Sequence, residues 1–495
     1  MSGADVLGTT DGPLDKEIFC YGLDPHLDWL ESRLSGIPIY KDINCLSSNS
    51  EVYKLMAYVD DVKPSISCMG DFTTVDYGSS LFEGASGCKL HRDPRSGKVK
   101  FLPLGRWRGT LQKEDIPVNY IAISEHLDMV GVKLTHSFAK TRKLNGDEIQ
   151  EKVQKTIKAW RSGKFMPLIS RPYSINSFCL SKVWFRCSSL NLRCSDTAKI
   201  TSSVKSWLFA DQLEKPDEFV LYRTRKSGGL NLTNVNCKAK ALLIKSFLET
   251  SAMSKFTHNL YHEALYRWYI EDHRDISKPV LPPYYDQSFF DTIREVKLEG
   301  LLNISKMSTS QWYRVMLEKL VTHHKVNSKS VPVPMKIEIN LPKINWERSW
   351  AMLNCKGLPP TETSFLWRMI NNLLPVPTRL HRMKMANATT NLCTLCDDDS
   401  VGDLKHCLLT CSFNREASLF LIQEVKKIVH INSEESLIYL DVDAGQEQLA
   451  VTFLIGNLLS SIWSFRHEKK NCSLDAVRAS LEASINILRK KIMKI

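Results

Sequence analysis

The chain has 495 residues, 43% hydrophobic and 24% charged, ordinary globular proportions that exclude a disordered or collagen-like polymer and leave room for roughly two to four domains. Lys and Arg number 66 against 54 Asp and Glu, for a formal charge of +12. Residues 1–85 carry 5 basic and 14 acidic side chains, residues 86–171 carry 18 and 8, and a smaller basic tail lies near 466–494; this asymmetry points to a polyanion such as nucleic acid as partner.

The N-terminal stretch Met1–Pro13 contains Asp5 and Asp11 and no apolar core of a secretory signal. Strand signals concentrate before residue 136, at Glu51–Val59, Val99–Leu104 and Met129–Leu134. The first runs into two adjacent carboxylates, in the order Leu55-Met56-Ala57-Tyr58-Val59-Asp60-Asp61-Val62. Neighbouring ionised carboxylates repel each other and resist burial without a counter-charge. Either they supply hard oxygen ligands to Mg²⁺, as a two-metal phosphoryl-transfer site requires, or they form a solvent-facing turn. A basic cluster follows with Lys98, Lys100, Arg106 and Arg108 around Trp107. Such residues contact phosphates while a Trp stacks on a base, or they form a solvated face over a packed Trp.

From there the periodicity is helical. Ile149, Val153, Ile157 and Trp160 place one apolar stripe on a helix, with Lys152 and Lys155 off it. Pro-rich breaks fall at 278–285 and 328–342. The longest apolar stretch, Leu449–Phe465, is interrupted by Thr452, Asn457, Ser460 and Ser461 and is shorter than the ~20 residues of a spanning helix, so it reads as a buried core helix. Leu474, Val477, Leu481, Ile485, Leu488 and Ile492 mark a final amphipathic helix.

The 14 Cys are scattered, with one tight pair. Without a secretory signal, reduced thiols and metal ligation are favoured over a disulfide framework, in a nuclear or cytoplasmic protein that is neither secreted nor membrane-bound. Cys393-x₂-Cys396-x₉-His406-x₄-Cys411 is the strongest local signal. A C-x-x-C turn presents two thiolates to one ion, and a His and a Cys on the next turn close a tetrahedron. Four protein ligands leave no open position, so the zinc would be structural. The alternative is a free C-x-x-C beside unrelated Cys407 and Cys411, and Cys407 is a competing ligand in principle. No P-loop, G-x-S-x-G or H-E-x-x-H motif is present.

Taken in order, Phe19–Tyr40, the Tyr58-Val59-Asp60-Asp61 strand, Ser86–Leu90, Lys98-Val99-Lys100 and Phe101–Gly105 resemble the downstream half of the polymerase domain in non-LTR (LINE-type) retrotransposon reverse transcriptases. Glu125–Val132 is similar to the segment leading into the thumb. Trp160, Gly163, Arg171, Asn176, Ser181-Lys182, Trp184, Trp207 and Gly228-Gly229-Leu230 resemble the helical region after the palm. Independently, Ser364–Glu416 resembles the zinc-binding region C-terminal to the polymerase in such elements.

The resemblance implies an RNA-directed DNA polymerase, a nucleotidyltransferase acting on RNA template and DNA primer. In it, Asp60 and Asp61 are catalytic Mg²⁺ ligands. Tyr58, Lys98, Lys100, Arg106 and Arg108 face nucleotide or nucleic acid, and Cys393, Cys396, His406 and Cys411 hold zinc. The family takes a further Asp from an upstream palm strand, whereas Asp5, Asp11, Asp15 and Asp24 lie in turn-like or amphipathic sequence. The expectation is therefore a truncated polymerase, inactive alone. A non-catalytic nucleic-acid-binding protein derived from a retroelement is the alternative. The expected fold is α+β and mainly α: a partial palm (1–135), a helical thumb-like region (136–280), a linker (281–345), a zinc-binding region (346–430) and C-terminal helices (431–495).

Overall fold

The computed structural model describes residues 13–39, 51–58, 61–87, 89, 92–93, 95–161, 166–209, 216, 218–257, 264–271, 285, 287–298, 304–327, 343–385, 388–396, 398–468 and 473–492. The protein is α+β and mainly α: among the described residues the strands all precede residue 136 and form four separate two-stranded sheets. Two compact units emerge. The first comprises Met1–Ile149, Arg186–Arg193 and Leu242–Met307; the second comprises Gln150–Phe185, Cys194–Ala241 and Ser308–Ile495.

In the first unit, α1 (Pro13–Arg33) leads to β1 (Ile37–Ile39), which pairs antiparallel with β2 (Glu51–Tyr53). The strand read as Glu51–Val59 divides at Lys54. Its carbonyl accepts the Ser65 amide (2.7 Å) and its ammonium donates to the Glu31 carbonyl (2.7 Å). Beyond it, β3 (Leu55–Tyr58) and β4 (Asp61–Pro64) form an antiparallel hairpin with Tyr58 opposite Asp61. Asp61 thus opens β4, and among the described residues no third strand joins this sheet.

α2 (Met69–Ser86) inserts Phe72 into a core of Leu111, Ile116, Val118, Tyr120 and Ile121, flanked by Ile66, Val99, Phe101 and Trp107. β5 (Lys100–Phe101) and β6 (Ala122–Ile123) pair in parallel. The apolar run Met129–Leu134, read as one strand, is instead the middle of a hairpin between β7 (His126–Met129) and β8 (Val132–Thr135). Val130 (φ 45°) and Gly131 (φ 76°) both adopt positive φ, the twist that tight hairpins favour. Val is a poor residue for that conformation, which is why composition alone conceals the turn. α3 (Phe138–Arg161) follows and buries Ile149, Val153 and Ile157, as its stripe predicts. Its buried Asn145 both accepts from the Lys133 amide (3.0 Å) and donates to the Lys133 carbonyl (2.7 Å), standing in for a ladder partner of β8.

The later helices are α4 (Ser181–Ser189), α5 (Cys194–Leu208), α6 (Val235–Thr257), α7 (Gln287–Leu298), α8 (Thr309–Asn327), α9 (Trp346–Leu353), α10 (Pro360–Ile370), α11 (Pro377–Arg382), α12 (Arg415–Lys426), α13 (Gln448–His467) and α14 (Leu474–Ile492). In the second unit, Gly228 caps a short turn at φ +78°, and its carbonyl accepts the Trp367 indole N–H (2.8 Å) from α10. A Cβ there would lie 2.5 Å from Trp350 of α9. The Gly-Gly-Leu segment and the helices before the Cys/His cluster therefore share one core.

α13 packs among α10, α12 and α14. Three of the four residues that interrupt its apolar sequence are buried and partnered: Thr452 donates to the Gln448 carbonyl (2.7 Å), Asn457 to Ser484 (2.7 Å), and Ser461 pairs with Ser480 (2.9 Å). Gly456 lets α10 approach, since a Cβ would meet Leu366 at 3.1 Å. Among the described residues the stretch Gly445–His467 is long and apolar enough to cross a membrane by length and composition, and half of its apolar window is buried inside the fold. The helix outruns the apolar run Leu449–Phe465 from which it was read, because its last turn carries Arg466 and His467.

Candidate metal centre and the acidic hairpin

The Cys/His cluster is assembled from a knuckle, a widened helical turn and a supporting helix. Residues 391–402 fold back on themselves through an antiparallel bridge between Leu392 and Val401. The Cys393 amide donates to the Ser400 carbonyl (2.8 Å) and the Gly402 amide to the Asn391 carbonyl (2.8 Å). Gly402 has no room for a side chain, because a Cβ would sit 2.7 Å from Pro377 at the start of α11. Backbone closeness at that point fixes the knuckle against its neighbour.

Asp403 then accepts the His406 amide (2.7 Å) and starts a turn. His406–Thr410 is wound as a π-turn, closed by the Cys411 amide on the His406 carbonyl (2.9 Å). In an ordinary α-helix, residues five apart are rotated by about 140° and diverge. The wider π-turn brings His406 and Cys411 toward one side, which explains how His-x₄-Cys can serve a single ion.

The result is one cluster: the ligand atoms of Cys393, Cys396, His406 and Cys411 all lie within 4.8 Å of one another. The Cys393 and Cys411 sulfurs are 3.8 Å apart, and the Cys396 sulfur is 3.3 Å from His406 Nε2. A tetrahedral zinc with Zn–S of about 2.3 Å requires sulfurs roughly 3.8 Å apart. The four predicted ligands therefore fit structural zinc, and no fifth position is left open. Cys407, the competing candidate, is buried beside them but outside the set; burial pushes its thiol up to about 12, which keeps it protonated.

The site is electrostatically graded. Burial works against ionisation of Cys393, yet the Leu395 amide, the Arg466 guanidinium and the neighbouring ligand groups outweigh it and bring that thiol down to about 6. Burial and the adjacent sulfurs of Cys393 and Cys411 push Cys396 up to about 12. A dication bound in the cluster would hold its sulfurs as thiolates.

Arg466 was counted with the basic tail in the sequence. It is instead buried, donating to Cys393 Sγ (3.2 Å) and to Asn414 Oδ1 (2.8 Å). Sequence gave one hint, a charged residue ending an otherwise apolar helix, which reads equally as a cation at the helix C-terminus.

The acidic hairpin is described in part. Asp60 lies outside the described residues, as does Val59; Tyr58 and Asp61 are placed by their backbone pairing. Lys98, Lys100, Arg106 and Arg108 are all exposed on the first unit. Arg106 donates to the Ser67 carbonyl (3.1 Å), just beyond β4, and the Lys100 ammonium lies 3.8 Å from the Asp128 carboxylate. Trp107 is not a free stacking platform. Its ring packs against Phe72 (6.0 Å between centroids) and Phe101 (5.7 Å) in the first unit's core.

No curated protein matches the chain. Residues 337–417 match the family described as zinc-binding in reverse transcriptase, and this stretch contains all four ligands. The matched region and the Cys₃His donor set together support a reverse-transcriptase-related protein carrying that zinc-binding region.

Proposed function

We propose that the chain corresponds to the C-terminal part of a LINE-type reverse transcriptase, a nuclear or cytoplasmic protein that engages RNA template and DNA primer without extending the primer by itself. The observation that carries this reading is the Cys₃His cluster inside a region similar to the zinc-binding part of reverse transcriptases. Zinc would cross-link the knuckle and the π-turn and rigidify the second unit, with no role in bond making. Asp60 and Asp61 would be Mg²⁺ ligands of the polymerase centre. Tyr58, Lys98, Lys100, Arg106 and Arg108 would lie along nucleotide and phosphates.

Two-metal phosphoryl transfer needs carboxylates that clamp both cations. Among the described residues the β3–β4 hairpin pairs with itself alone, and that favours a second reading in which the hairpin is scaffold and the protein binds nucleic acid without catalysis.

The test is an RNA template annealed to a labelled DNA primer, with Mg²⁺ and dNTPs. The expected result is duplex binding that weakens steeply with salt, as phosphate contacts dictate, and no primer extension. Incorporation that disappears in Asp60→Ala would overturn the inactive assignment. Failure to bind the duplex at low salt would overturn the nucleic-acid reading. Mg²⁺-dependent dNTP binding lost in Asp60→Ala would select the polymerase reading over the scaffold one.

A further inference from the structure

We infer that Arg466 is the charge partner of the metal centre, which makes α13 a component of a site whose family match ends at residue 417. The inference rests on the zinc reading of the four-ligand cluster. Three thiolates and a neutral imidazole around a dication leave one net negative charge. Three of the four ligands are buried, and an isolated buried charge is costly unless it is paired and hydrogen-bonded. Arg466 is the group that reaches it.

The guanidinium is fixed on several sides. Its Nη2 donates to Cys393 Sγ (3.2 Å) and lies 3.6 Å from Cys407 Sγ; its Nη1 donates to Asn414 Oδ1 (2.8 Å), and its plane sits 5.8 Å from the Phe413 ring. Asn414 is held in turn, donating to Ser418 Oγ (2.8 Å) and to the Leu408 carbonyl (3.3 Å) of the π-turn. One side chain therefore ties the knuckle ligand, the π-turn and α13 together. Arg suits this position better than Lys, because a rigid fork can serve a sulfur and an amide oxygen at once. A donor aimed at the ligand sulfur draws charge from the thiolate and fixes its direction, the outer-shell function that tunes metal sites. Arg466 is a positioning residue here and touches no substrate.

The experiment uses the full chain as wild type, Cys393→Ser, Arg466→Met, Arg466→Lys and Arg466→Gln. Zinc content comes first, then zinc competition against a chromogenic chelator, then the absorption of the Co²⁺-substituted protein. Wild type should hold zinc stoichiometrically and Cys393→Ser should lose it. Arg466→Met should bind zinc ~10–100-fold more weakly, with Arg466→Lys between the two. In Arg466→Met the sulfur-to-cobalt charge-transfer band should move to lower energy, since an unbonded thiolate gives up its electron more readily.

Wild type without zinc would overturn the zinc reading itself. Zinc-bound wild type with unchanged affinity and band in Arg466→Met would overturn the Arg466 assignment and leave the zinc reading standing. Weaker binding with an unmoved band would mark Arg466 as a packing bridge and would also overturn it. Should Arg466→Met fail to fold, Arg466→Gln, which keeps a donor and drops the charge, decides by zinc affinity alone: affinity equal to wild type would overturn the charge-partner assignment.

Discussion

At the start of α2 a carboxylate closed off from solvent organises the base of the acidic hairpin. Asp71 accepts the amides of Ser35 (3.0 Å), Ser67 (2.8 Å) and Cys68 (3.1 Å), together with the Ser67 hydroxyl (3.2 Å). Burial by itself would favour the neutral acid, but the amide hydrogens outweigh it and hold the group below the usual carboxylate range. Asp71→Asn would turn an NH₂ toward amide hydrogens, leave donors unsatisfied, and cost about 2 kcal/mol. A depressed folded pKa contributes stability that is fully present above the unfolded value of 3.8 and is lost as pH falls through the lower folded value. The gap between wild type and Asp71→Asn in urea unfolding should therefore be constant from about pH 5 to 8 and shrink below about pH 4. An equal gap at pH 3 and pH 7 would show that the ionised form is not what the amides hold.

Among elements, the turn at Gly228 bears the tightest constraint on the second unit. An alanine there would adopt a left-handed backbone, at φ +78°, with its Cβ 2.5 Å from Trp350. Backbone strain and forced repacking together should cost roughly 2–4 kcal/mol in Gly228→Ala. Urea unfolding followed by Trp fluorescence reads this directly, and a variant as stable as wild type would mean that Trp350 swings aside freely.

The same elements divide what sequence could and could not tell. The stripe of α3, the buried helix over Leu449–Phe465 and the ligand spacing at 393, 396, 406 and 411 were legible, because each depends on local periodicity or a short motif. The β7–β8 turn was not, since Val130-Gly131 carries a weak turn signal. Arg466 was not either: it meets Cys393 across 73 residues, and nothing local distinguishes it from a solvated helix end. Sequence leaves Trp107 open between stacking on a base and packing in a core, and only tertiary structure brings Phe72 beside it.

For the whole molecule, the division into two units gives metal removal a spatial signature. The first unit contains an apolar cluster of Phe72 with Leu111, Ile116, Val118, Tyr120 and Ile121. The second unit places the π-turn of the Cys/His cluster against α12 and α13, and a structural metal of this kind contributes directly to folding free energy. Chelation should consequently loosen residues 388–426 and the C-terminal turn of α13 while leaving α2 and residues 99–123 as protected as before. Hydrogen exchange followed by mass spectrometry resolves the two, because local opening reports on each cooperative segment separately. Protection should fall in peptides covering the knuckle, the π-turn and Arg466 on chelation, and return when zinc is restored. Equal loss across both units would mean that the metal supports the entire chain as one cooperative body. An unchanged knuckle would mean that its bridge and π-turn stand without metal, and the cross-linking role assigned to zinc would then have no physical work to perform.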